Sequence, residues 1–452
     1  MNHKRSEQRV LSASVWSVGG FVVGQLLRFG GNLVLTRLLL PEYFGIMGIV
    51  TVVILGLTMF SDLGLLQSVV QSRKGETSIF LNTAWTIQVI RGVVLSIVML
   101  ALAASIQFGI NIGLLGSATV YGNELLPSVL LILSLIPLLN GLESTKIFIA
   151  NRRLDLKSIT ILEIASQFVG LCVMIFLAWN YPTIWSLVSG VIVTAITKTV
   201  LSHVVLTGIS NRFLLNREVA GEIIGYGKWV MLASISGFLL SQGDRLLLGG
   251  FIDAHSLGIY TIAYFLASAV LLGLARLNRM VFFPALSDIA REEEHRLKEF
   301  YYKIRSRTDI VVLIVAGMLF VSGQSIIDLL YDDRYKDAGW MLEVLGLSVI
   351  GVTSIVADQI FLATGHSKWM SMTSLAQLIF LYAGLPIAYG AWGLHGAIWV
   401  IAFAFIPKYL VGLHYLNKLE ILSIIREIRF LPFIIVGLGL GYVLDNVLII
   451  MS

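Results

Sequence analysis

The chain has 452 residues, 57% of them hydrophobic and only 13% charged, with a mean hydropathy of +0.87 and a formal net charge of +5. An ordinary soluble domain is about half apolar and a quarter charged, so a water-soluble globular protein is excluded. The apolar excess is enough for about a dozen membrane helices of roughly 20 residues, and the positive balance is read as a membrane-topology effect that implies no nucleic-acid partner.

Runs such as 46–60 and 93–105 are continuously apolar, whereas a membrane barrel needs alternating polarity in segments of about 10 residues. The predicted class is therefore an all-α polytopic membrane protein. In chain order, apolar windows fall near 12–38, 46–70, 82–105, 125–149, 158–178 and 183–207, and, after a more polar stretch at 210–228, near 229–251, 256–283, 309–330, 340–363, 367–389 and 392–413. A thirteenth candidate at 430–450 carries Asp445 and the run Gly437-Leu438-Gly439-Leu440-Gly441, read as close helix packing rather than a phosphate loop. The opening segment carries Lys4, Arg5 and Arg9 without a clear A-x-A site, so the first window is expected to be a retained span rather than a signal peptide. The single cysteine, Cys172, lies in an apolar run and is expected to be a packing residue.

Cytoplasmic loops retain Lys and Arg and translocated ones lose them. With the N-terminus cytoplasmic, basic residues such as Arg73, Lys74, Arg152, Arg153, Arg305, Arg307, Arg426 and Arg429 fall on one side, and only Arg334 and Lys336 fall in the opposite loops. An internal repeat is also present, and because six windows is an even number both copies enter the membrane from the same side. Slid by 213 positions, the chain brings Trp16, Gly24, Gly30, Gly45 and Ile46 onto Trp229, Gly237, Gly243, Gly258 and Ile259, and Phe148 and Ala150 onto Phe361 and Ala363. Two six-helix bundles in parallel pseudo-two-fold repeat are predicted, with lobes at 1–209 and 229–416, a linker at 210–228 and a closing segment at 417–452. Repeat interfaces of this kind are where transport substrates bind, and rocking of one lobe on the other is the physical basis of alternating access.

A charged side chain at the centre of a membrane helix costs roughly 2.5–3.5 kcal/mol on insertion scales, so it faces protein or a wet cavity. Ten basic residues need such an account. Arg37, Lys228, Arg276, Arg279 and Lys408 sit near window ends, where a long stem reaches the interface. Arg28, Arg91, Lys146, Lys198 and Arg245 lie deeper and are the candidate substrate-binding cations of a central cleft. Gln25, Arg28, Asn32 and Thr36 recur at helical spacing, as do Trp85, Gln88 and Arg91, which places an aromatic, an amide and a guanidinium on one side. Ser241 and Asp244 mark a polar face of the equivalent helix in the second lobe. Guanidinium forks suit phosphate oxygens and aromatic faces suit sugars. Asp244 pairs with an arginine or lines the cleft, and Glu143 and Lys146 are spaced to neutralise each other. Asp62, Glu163 and Asp358, together with Glu343, are the acidic candidates for pairing or for ion coupling.

Enzyme signatures are absent: no H-E-x-x-H, no G-x-S-x-G, no P-loop, and the seven histidines are scattered. The expectation is a non-enzymatic protein with no cofactor and no metal.

The segment Leu38-Leu39-Leu40-Pro41-Glu42-Tyr43-Phe44-Gly45, followed by Asp62-Leu63-Gly64-Leu65 with Gln67 and Gln71, resembles the opening of Wzx-type polysaccharide flippases. Asp244-Arg245-Leu246-Leu247-Leu248-Gly249, then Gly258-Ile259-Tyr260, and Phe361-Leu362-Ala363-Thr364-Gly365 resemble their second half. The resemblance covers residues 10 to 415. It implies the fold of the multidrug, oligosaccharidyl-lipid and polysaccharide exporters, also called MATE-like, with two six-helix bundles around a V-shaped cleft. It further implies an undecaprenyl-diphosphate-linked oligosaccharide as substrate, membrane lipid around it, flipping from the cytoplasmic to the outer leaflet of a bacterial inner membrane, and work alongside a polysaccharide polymerase and a chain-length regulator. An ion-coupled multidrug antiporter on the same fold is the alternative, and a non-transporting scaffold for polysaccharide assembly is a third reading.

Overall fold

The computed structural model describes the backbone of residues 2–292 and 296–451; the side chains at 2–14, 229, 232, 276–285, 287, 290–292 and 451 lie outside the described residues. Expectations placed on Trp229, Arg276, Arg279 and Arg291, and on the basic opening segment, fall there. All regular structure among the described residues is helical, and two compact units divide between Leu239 and Leu240. The second unit starts eleven residues beyond the expected lobe start because Phe238 packs on the first unit, edge-on to Phe60 at 5.0 Å and against Gly56.

The first unit runs α1 (Asn2–Leu38), α2 (Pro41–Phe60), α3 (Leu65–Gln71), α4 (Ser78–Asn111), α5 (Leu125–Leu133), α6 (Leu135–Gly141), α7 (Lys146–Arg152), α8 (Leu156–Asn180), α9 (Ile184–Val204) and most of α10 (Arg217–Leu248). Pro41 opens α2, where a missing N–H removes nothing. The expected window at 46–70 is two elements: the chain leaves α2 at Ser61 and restarts at α3 after Gly64, whose φ of 59° is the left-handed conformation that glycine tolerates. Thr77 caps α4 by accepting from Phe80 N, and Asp155 caps α8 by accepting from Ser158 N. α1 lies on α8 through small residues, since a Cβ at Gly20 or Gly31 would strike Thr160 or Leu171. Cys172 is exposed on α8 and does not pack in the core, a correction to its expected role: it shares the outer surface with Phe168, Val169 and Phe176.

The second unit continues from the end of α10 through α11 (Ala254–Glu292), α12 (Leu297–Leu330), α13 (Ala338–Gly346), α14 (Val352–Ala363), α15 (Ser367–Phe403), α16 (Phe405–Lys418), α17 (Ile424–Ile428) and α18 (Phe433–Met451). α15 is two helices. Gly393 has φ 61° and ψ −149°, and a Cβ on Gly384 would sit 3.3 Å from Val400. Sixteen residues of straight helix would separate those positions by about 24 Å, so the chain folds back at Gly393 and the windows at 367–389 and 392–413 are distinct. The glycine run of α18 is a packing face, as its composition implies. A Cβ at Gly437 would lie 2.4 Å from Ile314 O, and one at Gly317 of α12 would lie 2.7 Å from Ile434 O. Among the described residues ten helical stretches are long and apolar enough to cross a membrane, or up to twelve when two bent pairs are each counted as one span. The stretch 424–450 is one of the ten, so the closing segment contributes a full-length candidate span.

Candidate functional site

The fourth apolar window is broken. α5 and α6 end at Gly141, and α7 departs at 57° from Lys146. A helix that stops inside a membrane strands its last carbonyls, and lipid cannot satisfy them. Neighbouring side chains do so here. Gln88 Nε2 of α4 donates to the carbonyls of Asn140 (2.9 Å), Gly141 (3.1 Å) and Glu143 (3.1 Å), and Thr199 Oγ1 of α9 donates to Leu139 O at 2.9 Å. His203 Nε2 lies 2.9 Å from Leu142 O, and Ser202 Oγ accepts from Ser144 N at 2.9 Å. α4 reaches this close because Gly92 and Gly141 face each other: a Cβ on Gly92 would be 3.1 Å from Gly141 Cα.

Beside the break is a cavity of about 330 Å³, bounded by α2, α3, α4, α6, α7 and α9 and lined by Asp62, Gln67, Gln88, Arg91, Glu143 and Lys198 among others. Arg91 stands about 20 Å along α4 from Ser78. Its Nη2 reaches Thr58 O only at 3.5 Å, and Asp62 is the carboxylate that acts on it. Asp62 is engaged elsewhere, accepting from Gly64 N at 2.9 Å and from Ser234 Oγ at 3.3 Å. Lys198 Nζ is 2.8 Å from Glu143 Oε1, an ion pair. Gln88 Oε1 is buried with no partner among the described residues.

Of the residues singled out in the sequence, Asp62, Gln88, Arg91 and Lys198 come together here. Two basic side chains, Arg91 and Lys198, and two acidic ones, Asp62 and Glu143, line this cavity. Lys146 stands elsewhere: its Nζ donates to His203 O at 2.6 Å and caps α9, so Glu143 takes Lys198 rather than Lys146 as its partner. Trp85 does not line the cavity either. It is buried, with its ring 4.8 Å from Phe213.

Arg28 is exposed on α1, donating to Gln25 Oε1 at 3.3 Å, and once the Gln167 amide oxygen faces it, Nε and Nη2 donate to that oxygen at 3.1 Å. Asn32, one turn on, is half-buried, and its carbonyl accepts from Thr36 Oγ1 at 2.9 Å. Glu163 is exposed on α8. In the second unit, Arg245 donates to Gln242 Oε1 at 3.1 Å and lies 4.3 Å from the Tyr264 ring centroid. Asp244 is buried and accepts from Tyr260 OH, so its partner is a phenol rather than an arginine, while Ser241 is exposed one turn away. Asp358 is paired with Lys408 (2.7 Å) and accepts from Thr373 Oγ1 at 3.4 Å. Lys408 thus points inward and does not snorkel. Among the described residues no group of three His, Cys, Asp or Glu side chains could hold a metal ion.

Residues 34–339 match the family described as polysaccharide biosynthesis protein, more than half the chain. The chain belongs to this polysaccharide biosynthesis family. It is 22% identical over 355 residues to the lipopolysaccharide biosynthesis protein WzxC of Escherichia coli (strain K12), covering 78% of this chain and 69% of that one. It is also 22% identical over 309 residues to the succinoglycan biosynthesis transport protein ExoT of Rhizobium meliloti (strain 1021), covering 67% of this chain and 59% of that one. Among solved structures the lipid II flippase MurJ in an inward closed conformation is similar, with a TM-score of 0.69 at 14% identity, over 96% of this chain and 92% of MurJ. An inward-facing multidrug resistance MATE family transporter of the MOP superfamily gives 0.66 at 16% identity, over 91% and 99% of the two chains. The family member is therefore an all-α, multi-pass membrane protein with a MATE-like fold, and its relatives are transporters rather than enzymes.

Proposed function

We propose that this polysaccharide biosynthesis protein flips an undecaprenyl-diphosphate-linked oligosaccharide from the cytoplasmic to the outer leaflet of a bacterial inner membrane, by alternating access, with its N-terminus cytoplasmic. The observation that carries the reading is the guanidinium of Arg91. It lines the cavity with five donors and, among the described residues, a single long hydrogen bond at 3.5 Å. A diphosphate oxygen is a far better acceptor than that carbonyl, because it carries negative charge and a phosphate takes the guanidinium fork in two-point geometry. The cavity volume of about 330 Å³ is at the small end of ligand pockets. It suits one sugar or a diphosphate, with the rest of the glycan in water and the prenyl chain in lipid. Gln67, Gln88 and Asn140 supply amide groups of the kind sugar hydroxyls use.

The competing reading, an ion-coupled antiporter of organic cations, is favoured by Asp62 and Glu143 on the same wall. Purified protein in liposomes separates the two. A defined undecaprenyl-diphosphate oligosaccharide should become accessible to a membrane-impermeant sugar-modifying reagent on the far side, and Arg91→Ala should slow this. Export of cationic drugs without any movement of the lipid-linked glycan would overturn the proposal.

A further inference from the structure

The second unit holds a buried charge cluster remote in sequence from the Arg91 cavity. Arg305 on α12 is 3% exposed and serves two carboxylates: its Nε is 3.2 Å from Asp309 Oδ2 and its Nη2 is 2.9 Å from Glu427 Oε2. Asp309 is 3% and Glu427 7% exposed. The nearby Lys408 is matched by Asp358, at 2.7 Å. Among the described residues, two cations therefore face three carboxylates in a dry setting, leaving one negative charge over. An unpaired buried ion costs several kcal/mol, and such a group neutralises itself by taking a proton.

The hydrogen bonds say which carboxylate does so. Glu427 accepts from Tyr302 OH at 3.0 Å and from Tyr409 OH at 2.7 Å in addition to Arg305, as an anion requires. Asp309 Oδ1 is buried with no partner at all among the described residues. Beside the cluster, a cavity of about 10 Å³ is bounded by Arg305, Asp358, Lys408, Tyr409 and Ser354, and Ser354 Oγ, on a residue 3% exposed, faces it without a partner. That volume is about the least that holds one water, which would sit against Arg305 and Asp358; Asp309 is not among the residues that line it. Among the described residues the facing ionisable groups are Tyr301 and Tyr302 on α12, Lys408 and Tyr409 on α16, Asp358 on α14 and Glu427 on α17, with Arg426 of α17 5.4 Å from the Tyr302 ring centroid and itself paired with Glu299 at 2.8 Å. α11 presents the apolar Leu286 and Ile289, its side chains at 276, 279, 291 and 292 lying outside the described residues.

We propose that the Arg305 cluster is a proton-binding site, with the proton held on Asp309, and that this proton lets the closing segment dock through Glu427. The proposal stands apart from the transport reading. In infrared titration of the purified full-length protein at neutral pH, one protonated-carboxyl band should vanish in Asp309→Asn. It should vanish equally in Glu427→Gln, which removes the surplus negative charge and lets Asp309 ionise, and persist in the exposed-site control Glu299→Gln. Hydrogen exchange of residues 424–428, corrected for the intrinsic pH effect, should accelerate as pH rises in the wild type and stay flat in Asp309→Asn. A band that survives in Glu427→Gln, or identical pH dependence of exchange in wild type and Asp309→Asn, overturns the proposal; should Asp309→Asn fail to fold, the Glu427→Gln spectrum decides.

Discussion

Lys198 Nζ meets Glu143 Oε1 at 2.8 Å across the gap where the broken span turns from α6 to α7. Lys198→Met would leave that carboxylate facing the cavity without its counter-charge. Fully buried pairs lose about 3–5 kcal/mol when broken, and exposed ones about 0–1, so a loss of about 1–2 kcal/mol is expected for a lysine that is 35% exposed. Adding Glu143→Gln should recover most of it. Thermal unfolding in detergent measures both, and equal losses in the single and double variants would show that the pair contributes nothing.

Arg91→Ala should reduce polymer export about tenfold or more, the equivalent of one charge-assisted hydrogen bond of about 1.5–3 kcal/mol, with membrane insertion intact. Arg28→Ala should do less, because Arg28 is exposed on α1 and already rests on two amides. Surface polysaccharide quantified in a complemented deletion strain reads this out; the reverse ranking would move the binding site to α1.

Gly92→Ala should destabilise by about 1–3 kcal/mol, the usual range for overpacking. Its methyl would sit 2.6 Å from Pro137 O, and backbone on both sides leaves no flexible neighbour to yield. Gly221→Ala, where nothing lies within 4 Å, is the control and should be neutral or slightly stabilising. Comparable melting temperatures for the two variants would contradict the close α4–α6 approach.

The loop joining α3 to α4 predicts a pH effect. Arg153 Nη2 hydrogen-bonds Glu76 Oε2 at 2.7 Å, and this bond, with the charges of Arg153 and Arg152, holds the Glu76 carboxyl below its ordinary value. A depressed folded value means the stabilisation is present above the ordinary glutamate pKa of about 4.3 and is lost as pH falls through the folded value. Wild type should therefore melt slightly above Glu76→Gln near neutrality, with the gap closing in acid and in high salt. A gap that widens on acidification contradicts this sign.

The helical windows and the glycine run of the closing segment were legible in the sequence because hydrophobicity over 20 residues reports burial in lipid directly. Arg91 and Gln88 were legible too, since deep polar residues in an apolar run have few explanations. The break at Gly141 was not, although Pro137, Gly141 and Ser144-Thr145 interrupt that window. A window average hides a bend, and helical spacing was therefore applied to Glu143 and Lys146 across a point where the helix stops. Thr199, Ser202 and His203 carry no sequence signal for a related reason: what they satisfy is backbone some 60 residues away, carbonyls for Thr199 and His203 and an N–H for Ser202, which leaves no mark on local composition. The buried Arg305 cluster was masked by the topology signal, which assigns any arginine near a helix start to cytoplasmic water.

The interrupted segment from α5 to α7 also bears on biogenesis. Its carbonyls at Leu139, Asn140, Gly141, Leu142 and Glu143 find their donors on α4, made earlier, and on α9, made later. Until α9 leaves the ribosome this stretch has only part of its satisfaction, and lipid offers no substitute. Stable integration of the fourth window must wait for the sixth, so truncating the chain between them should leave a nascent protein that slips back out of the bilayer or is degraded.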